Sequence, residues 1–168
     1  MALREKYGTG EIIVPPLTWC SDIASTLHCG FKPVFVDIDP LTLCIDPKEL
    51  EKKITKKTKA IVPVHYGGFP CKMDKIKKVI DKSIHVVDDA AHACGSKDNG
   101  KMIGSDNDLT CFSFHPVKNL AMPKGGAITI NSNDHKRIKN KLNTLRWCGI
   151  DKRNGPSYDI TALGFNYY

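Results

Sequence analysis

The sequence predicts an α/β fold, a three-layer αβα sandwich around a mostly parallel sheet. Three observations predict it. Apolar runs of strand length, such as Ile12-Ile13-Val14 and Ala60-Ile61-Val62-Pro63-Val64, recur along the chain as strands buried on both faces do. Between them lie segments with helical spacing, the signature of βαβ crossovers. No internal repeat, low-complexity tract or linker interrupts the alternation, and 168 residues suffice for one sizeable core in one domain.

The elements follow in order. Residues 11–14 read as a strand stopped by Pro15-Pro16. Residues 18–28 read as a helix, with Thr18 as N-cap and Gly30 just past its end. The strand at 33–38 precedes a helix opened by Asp46-Pro47, a cap followed by proline in the first turn. A third strand spans 60–65, and Gly67-Gly68-Phe69-Pro70 turns into a helix on which Met73, Ile76, Val79 and Ile80 share a face. Residues 84–88 form the fourth strand; 109–114 and 126–130 follow, then a helix over 134–146. The 109–114 and 126–130 strands are too close for a full helix between them, so one of the two is expected to run antiparallel.

Composition excludes several classes. The formal charge of +7 comes from lysines concentrated in residues 48–59 and 72–82, and in the second stretch they lie between apolar residues at helical spacing as a solvated helix face. No aromatic side chains interleave with them, so the pattern argues against nucleic-acid binding. The apolar runs fall far short of a membrane span, and the first residues lack a secretory signal, which makes the cytosol the expected compartment. Seven scattered cysteines without a CxxC pair form no zinc or disulfide framework and read as reduced, mostly buried small hydrophobes.

Chemistry concentrates at strand ends. Lys118 lies in Ser113-Phe114-His115-Pro116-Val117-Lys118-Asn119, just after one strand, and Asp88-Asp89-Ala90-Ala91-His92 closes another. In open α/β sheets ligands bind beyond the carboxyl ends of the strands. A lysine there can form a Schiff base with pyridoxal phosphate, and a carboxylate can pair with its pyridinium nitrogen so that the ring acts as an electron sink. Asp88 and Asp89 point to opposite faces by strand alternation, so only one of them can serve. His65 also falls at a strand end, where it either lines the site or packs in the core.

Seven colinear runs carry a resemblance. They are Ile13-Val14-Pro15-Pro16-Leu17-Thr18-Trp19, Lys32-Pro33-Val34-Phe35-Val36-Asp37-Ile38-Asp39, Pro63-Val64-His65 with Gly67, Asp88-Asp89-Ala90-Ala91-His92, Ser113 to Asn119, Gly125-Gly126-Ala127, and Leu163-Gly164-Phe165-Asn166-Tyr167. The chain resembles the DegT/DnrJ/EryC1/StrS sugar aminotransferases, which implies the large domain of the fold type I pyridoxal phosphate architecture. Residues 1–168 match its middle. The expectation is a partial large domain, without the family's N-terminal phosphate-loop segment and its C-terminal small domain.

The resemblance implies roles for particular residues. Lys118 resembles the lysine that carries the cofactor and moves the proton, and Asp89 the carboxylate under the ring nitrogen. His92 lies against the ring, Ser113 helps hold the phosphate, Trp19 lines the pocket, and Asn166 reaches toward a neighbouring subunit's cofactor phosphate. Tyr168 stands where the family often has arginine, and Pro123-Lys124 replaces a common acidic residue, changes that bear on phosphate affinity. Relatives with histidine in place of the lysine are sugar dehydratases, so Lys118 favours the transaminase branch.

The implied function is transfer of an amino group, from glutamate in most of the family, to a nucleotide-linked keto-sugar. The implied setting is a cytoplasmic homodimer in polysaccharide biosynthesis, with small-molecule substrates and neither nucleic acid nor membrane as partner. Two rivals are kept. One is a non-catalytic fragment of such an enzyme; the other is a different fold type I enzyme, such as a lyase or desulfurase, although no cysteine sits in an evident catalytic loop.

Overall fold

The computed structural model describes residues 7–154 and 157–167, with the side chains of all but 152–154. They form two compact units, one ending at Asn131 and one beginning at Ser132.

The first unit is built on a six-stranded sheet. Its strands are β1 (Glu11–Val14), β2 (Lys32–Phe35), β3 (Thr58–Ile61), β4 (His85–Asp89), β7 (Leu109–Ser113) and β8 (Gly126–Ile130). They lie in the order β2-β1-β3-β4-β7-β8. All neighbours pair in parallel except β7 and β8, which are antiparallel as their short separation predicts. The helices are α1 (Cys20–His28), α2 (Pro47–Lys53) and α3 (Met73–Val79).

Strand alternation divides the core into two layers. Ile13, Ile61 and Val86 pack with Leu50 of α2 and with Met73 and Ile76 of α3. Ile12, Val14 and Ala60 face the other way and pack with Phe31 and with Ile23 of α1. The result is the αβα sandwich, with helices on both faces of the sheet.

Local chemistry fixes several boundaries. Asp46 caps α2, its Oδ1 accepting from the Lys48 N–H at 2.8 Å, and Pro47 enters the first turn. At α1 the cap differs from expectation. The helix starts two residues later, and the Thr18 hydroxyl donates to the Asp22 side chain instead of capping the backbone. Observed strands end earlier than the apolar runs at 33–38 and 60–65, because Ile38 and Val64 retain only isolated bridges. Asn99-Gly100 forms a two-residue turn, both residues at positive φ (48° and 82°), between β5 (Lys97–Asp98) and β6 (Lys101–Met102), a hairpin outside the strands expected from apolar runs. Of the cysteines, Cys44 and Cys71 are buried, Cys20 and Cys148 are exposed and three are intermediate; all seven are free thiols.

The second unit contains α4 (His135–Arg146) and an antiparallel pair, β9 (Ile150–Asn154) and β10 (Ser157–Ile160). Asn166 bridges Trp147 there, and the Phe165 and Tyr167 rings stack with centroids 4.9 Å apart. Among the described residues, no helix is long and apolar enough to cross a membrane.

Candidate active site

The site starts at the carboxyl end of β4. The Asp89 backbone is fixed to the segment that follows β3: its N–H donates to Pro63 O at 2.9 Å, and its carbonyl accepts from the His65 N–H at 3.0 Å. The two adjacent aspartates then separate, as alternation requires. Asp88 turns into the layer that holds α2 and α3. It is buried there, its Oδ2 accepting from Asn107 Nδ2 at 2.6 Å and from Thr110 Oγ1 at 2.9 Å. His65 shares this environment: its Nδ1 accepts from the Cys71 N–H at 3.0 Å, which leaves Nε2 to carry the ring proton 3.6 Å from Asp88 Oδ1. His65 is therefore a buried core residue, which decides between the two readings its position allowed.

Asp89 turns to the α1 face. Its Oδ1 accepts from the Ala91 N–H at 2.9 Å, an Asx-type bond that turns the chain out of the strand. The turn closes with Ala93 N–H on Ala90 O at 2.9 Å, and Ala90 and Ala93 are buried beneath it. His92 is thereby lifted to the surface, where its Nε2 lies 2.9 Å from Lys118 Nζ.

Lys118 arrives from the loop between β7 and β8. That loop is folded on itself by Lys118 N–H to His115 O and Met122 N–H to Phe114 O, both 2.8 Å. It is tied to the His92 turn by Asn119 Nδ2 donating to Cys94 O at 2.6 Å. Gly68 supports the same turn from below. Its φ is +86°, and a Cβ there would lie 2.8 Å from His92 O. Sequence reading gave Gly68 only a place in a turn and Asn119 no role, because the contact each makes is with a distant segment.

Opposite Asp89 in the sheet register stands Cys111, and facing it from α1 is Asp22. Burial raises the Asp22 carboxyl to about 6, against an opposing hydrogen bond from Thr18 and with reinforcement from the neighbouring Asp89. The Cys111 thiol is pushed up to about 11 by burial and by the Asp89 charge. Asp22 is the residue the sequence reading missed. Its only signals were a first-turn acid and its spacing of four from Thr18, both common features of helix starts.

The remaining expected residues lie as follows. Ser113 ends β7, its Oγ accepting from the His115 N–H at 3.3 Å. Trp19 precedes α1 and is 74% exposed. Asn166 is exposed in the second unit. Tyr168 lies outside the described residues. The first unit thus brings Lys118, His92 and Asp89 into one connected constellation. An amine, an imidazole and a carboxylate that faces a second carboxylate make a donor set suited to a cationic ring nitrogen at one end and an aldehyde at the other.

Comparisons with known proteins give the family and the fold. The model of the DegT/DnrJ/EryC1/StrS aminotransferase family matches residues 1–168. The spore coat polysaccharide biosynthesis protein SpsC of Bacillus subtilis is 44% identical over 171 residues, covering 100% of this chain and 43% of SpsC. The uncharacterized protein MJ1066 of Methanocaldococcus jannaschii is 42% identical over 166 residues, covering 94% of this chain and 42% of its own. Among solved structures, Spr1654 of Streptococcus pneumoniae, assigned as a sugar aminotransferase and seen in its PMP-form, superposes with a TM-score of 0.86 at 31% identity. That match covers 98% of this chain and 48% of Spr1654. The chain therefore spans less than half the length of these relatives.

Proposed function

This chain belongs to the DegT/DnrJ/EryC1/StrS aminotransferase family, and we propose that it provides the catalytic lysine and ring-binding carboxylate of a pyridoxal phosphate-dependent sugar aminotransferase. The proposed reaction moves an amino group from glutamate to a nucleotide-linked keto-sugar. One observation carries the reading: Lys118 Nζ rests on His92 Nε2, three residues along a tight turn from the Asp89 carboxylate. The sugar substrate is supported by the names of SpsC and Spr1654.

Pyridoxal phosphate, when bound, supplies the electron sink that exchange of a carbon–nitrogen bond needs. The residues of this chain supply the rest. Lys118 holds the cofactor through Nζ and carries a proton between substrate carbon and cofactor. The Asp89 carboxylate keeps the ring nitrogen charged. His92 flanks the ring and fixes the approach of Lys118, and Ser113 offers a hydroxyl to the phosphate. Asn166 serves the phosphate of a partner subunit in a homodimer, acting in the cytoplasm.

The test is a pair of half-reactions on the cofactor-loaded protein. Glutamate is expected to bleach the visible band of the bound cofactor, and a nucleotide-linked keto-sugar to restore it. Lys118→Ala is expected to show neither change. A visible band that glutamate leaves untouched would count against amino transfer and favour a different reaction of the same fold.

A further inference from the structure

On the face of β4 opposite the Asp89 side chain lies a buried polar network that the proposed function does not use. We propose that His65 is a positioning residue for Asp89: by its main chain and through Asp88 it sets how β4 ends, and so where the Asp89 carboxylate meets the cofactor's ring nitrogen. The inference deepens the function proposed above and rests on it.

The need for such a hold comes from Pro63. Strands β3 and β4 pair in one register, Ala60 opposite His85 and Ile61 opposite Val86, and the same register returns at Val64 opposite Asp89. Between them stands Pro63, whose carbonyl accepts from the Asp89 N–H but which has no N–H to give in return. The ladder is therefore interrupted where β4 delivers Asp89. Two main-chain bonds remain there, the one to Pro63 O at 2.9 Å and the one from the His65 N–H at 3.0 Å.

Side chains complete the hold. The buried His65 ring accepts at Nδ1 from the Cys71 N–H at 3.0 Å, and the Cys71 thiol donates to Val64 O at 3.1 Å, so the turn between them closes on the strand end. A neutral ring that accepts at Nδ1 carries its proton on Nε2. That nitrogen stands 3.6 Å from Asp88 Oδ1, and among the described residues neither atom has a hydrogen-bond partner. Asp88 is anchored from its other side. Its Oδ2 accepts from Asn107 Nδ2 at 2.6 Å and from Thr110 Oγ1 at 2.9 Å, Thr110 being its neighbour in the register of β7.

At 3.6 Å the His65–Asp88 pair is an attraction rather than a finished hydrogen bond. An unmade bond between buried groups draws them together, because each loses by staying unpaired. Asp88 and Asp89 are consecutive, and their side chains leave opposite faces of one strand end. A movement of Asp88 toward or away from His65 therefore carries Asp89 with it.

Two substitutions divide His65 by atom. His65→Asn keeps an acceptor where Nδ1 stands, and so the bond from the Cys71 N–H, but withdraws the N–H that faces Asp88. His65→Gln carries an N–H out to the place of Nε2. Nitrogen NMR of the loaded protein, with pyridoxal phosphate isotope-labelled at its ring nitrogen and at one fixed pH, reads how far Asp89 keeps that nitrogen protonated. His65→Asn is expected to move the resonance toward the unprotonated position and to weaken cofactor binding about tenfold, with Lys118 still labelled on borohydride reduction. His65→Gln is expected to restore both. The unsubstituted protein gives a test that needs no variant to fold. Its His65 ring is expected to show the proton on Nε2, with a resonance that moves when cofactor binds on the other face of the sheet.

The outcomes separate the two readings. A bound cofactor whose ring-nitrogen signal is the same in His65→Asn as in the wild type overturns this inference alone. Equal losses in His65→Asn and His65→Gln do the same, as does a proton found on Nδ1 or an Nε2 resonance indifferent to bound cofactor. A wild type that holds no cofactor on Lys118 overturns the proposed function and this inference together.

Discussion

In the proposed function Lys118, His92 and Asp89 have different tasks, and substitutions should separate them. His92→Ala removes the imidazole 2.9 Å from the lysine amine, and a loss of ~10²-fold in turnover is expected from misplacement alone. Asp89→Asn should abolish turnover while still allowing cofactor to attach to Lys118; full activity would show that the wrong aspartate had been chosen. Asp22 makes a prediction about stability. Its folded value, about 6, lies above the ordinary 3.8, so the folded protein gains from holding this proton at low pH and loses that gain as pH rises through about 6. Asp22→Asn should therefore raise the melting temperature more at pH 8 than at pH 4, and an equal change at both would contradict the raised value. At this scale Lys118 and Asp89 could be proposed from sequence because their motifs are local. Asp22 could not, because its raised carboxyl comes chiefly from burial that only the folded packing of α1 creates.

At the scale of elements, capping and turn chemistry set the boundaries. Asp46→Ala should cost ~1 kcal/mol by leaving the Lys48 N–H uncapped, read as a lower denaturant midpoint with an unchanged slope. Gly68→Ala should cost more, about 1–2 kcal/mol for the left-handed backbone alone. Its Cβ would also crowd His92 O, so cofactor affinity should fall with it. Strands were legible wherever an apolar run is buried on both faces, as in β1 and β3. Their ends were less so, because Val36 and Val64 are buried as fully as strand residues while lying past the regular ladder. The Asn99-Gly100 hairpin carries a strong local signal, but its strands have two residues each and no apolar alternation to announce them.

For the whole molecule, the alternation of strand and helix puts the residues proposed as catalytic on one edge. That edge belongs to the first unit, whose two core layers position α1 and the β4 and β7 ends. The central claim is that this unit holds pyridoxal phosphate on one particular lysine of the many in the chain. The direct measurement adds the cofactor to the purified protein, reduces with borohydride and maps the labelled peptide. The account predicts a visible band that depends on Lys118 and a single label on the peptide carrying residues 113–119. A label spread over the lysines of residues 48–59 and 72–82, or no label on Lys118, would contradict it.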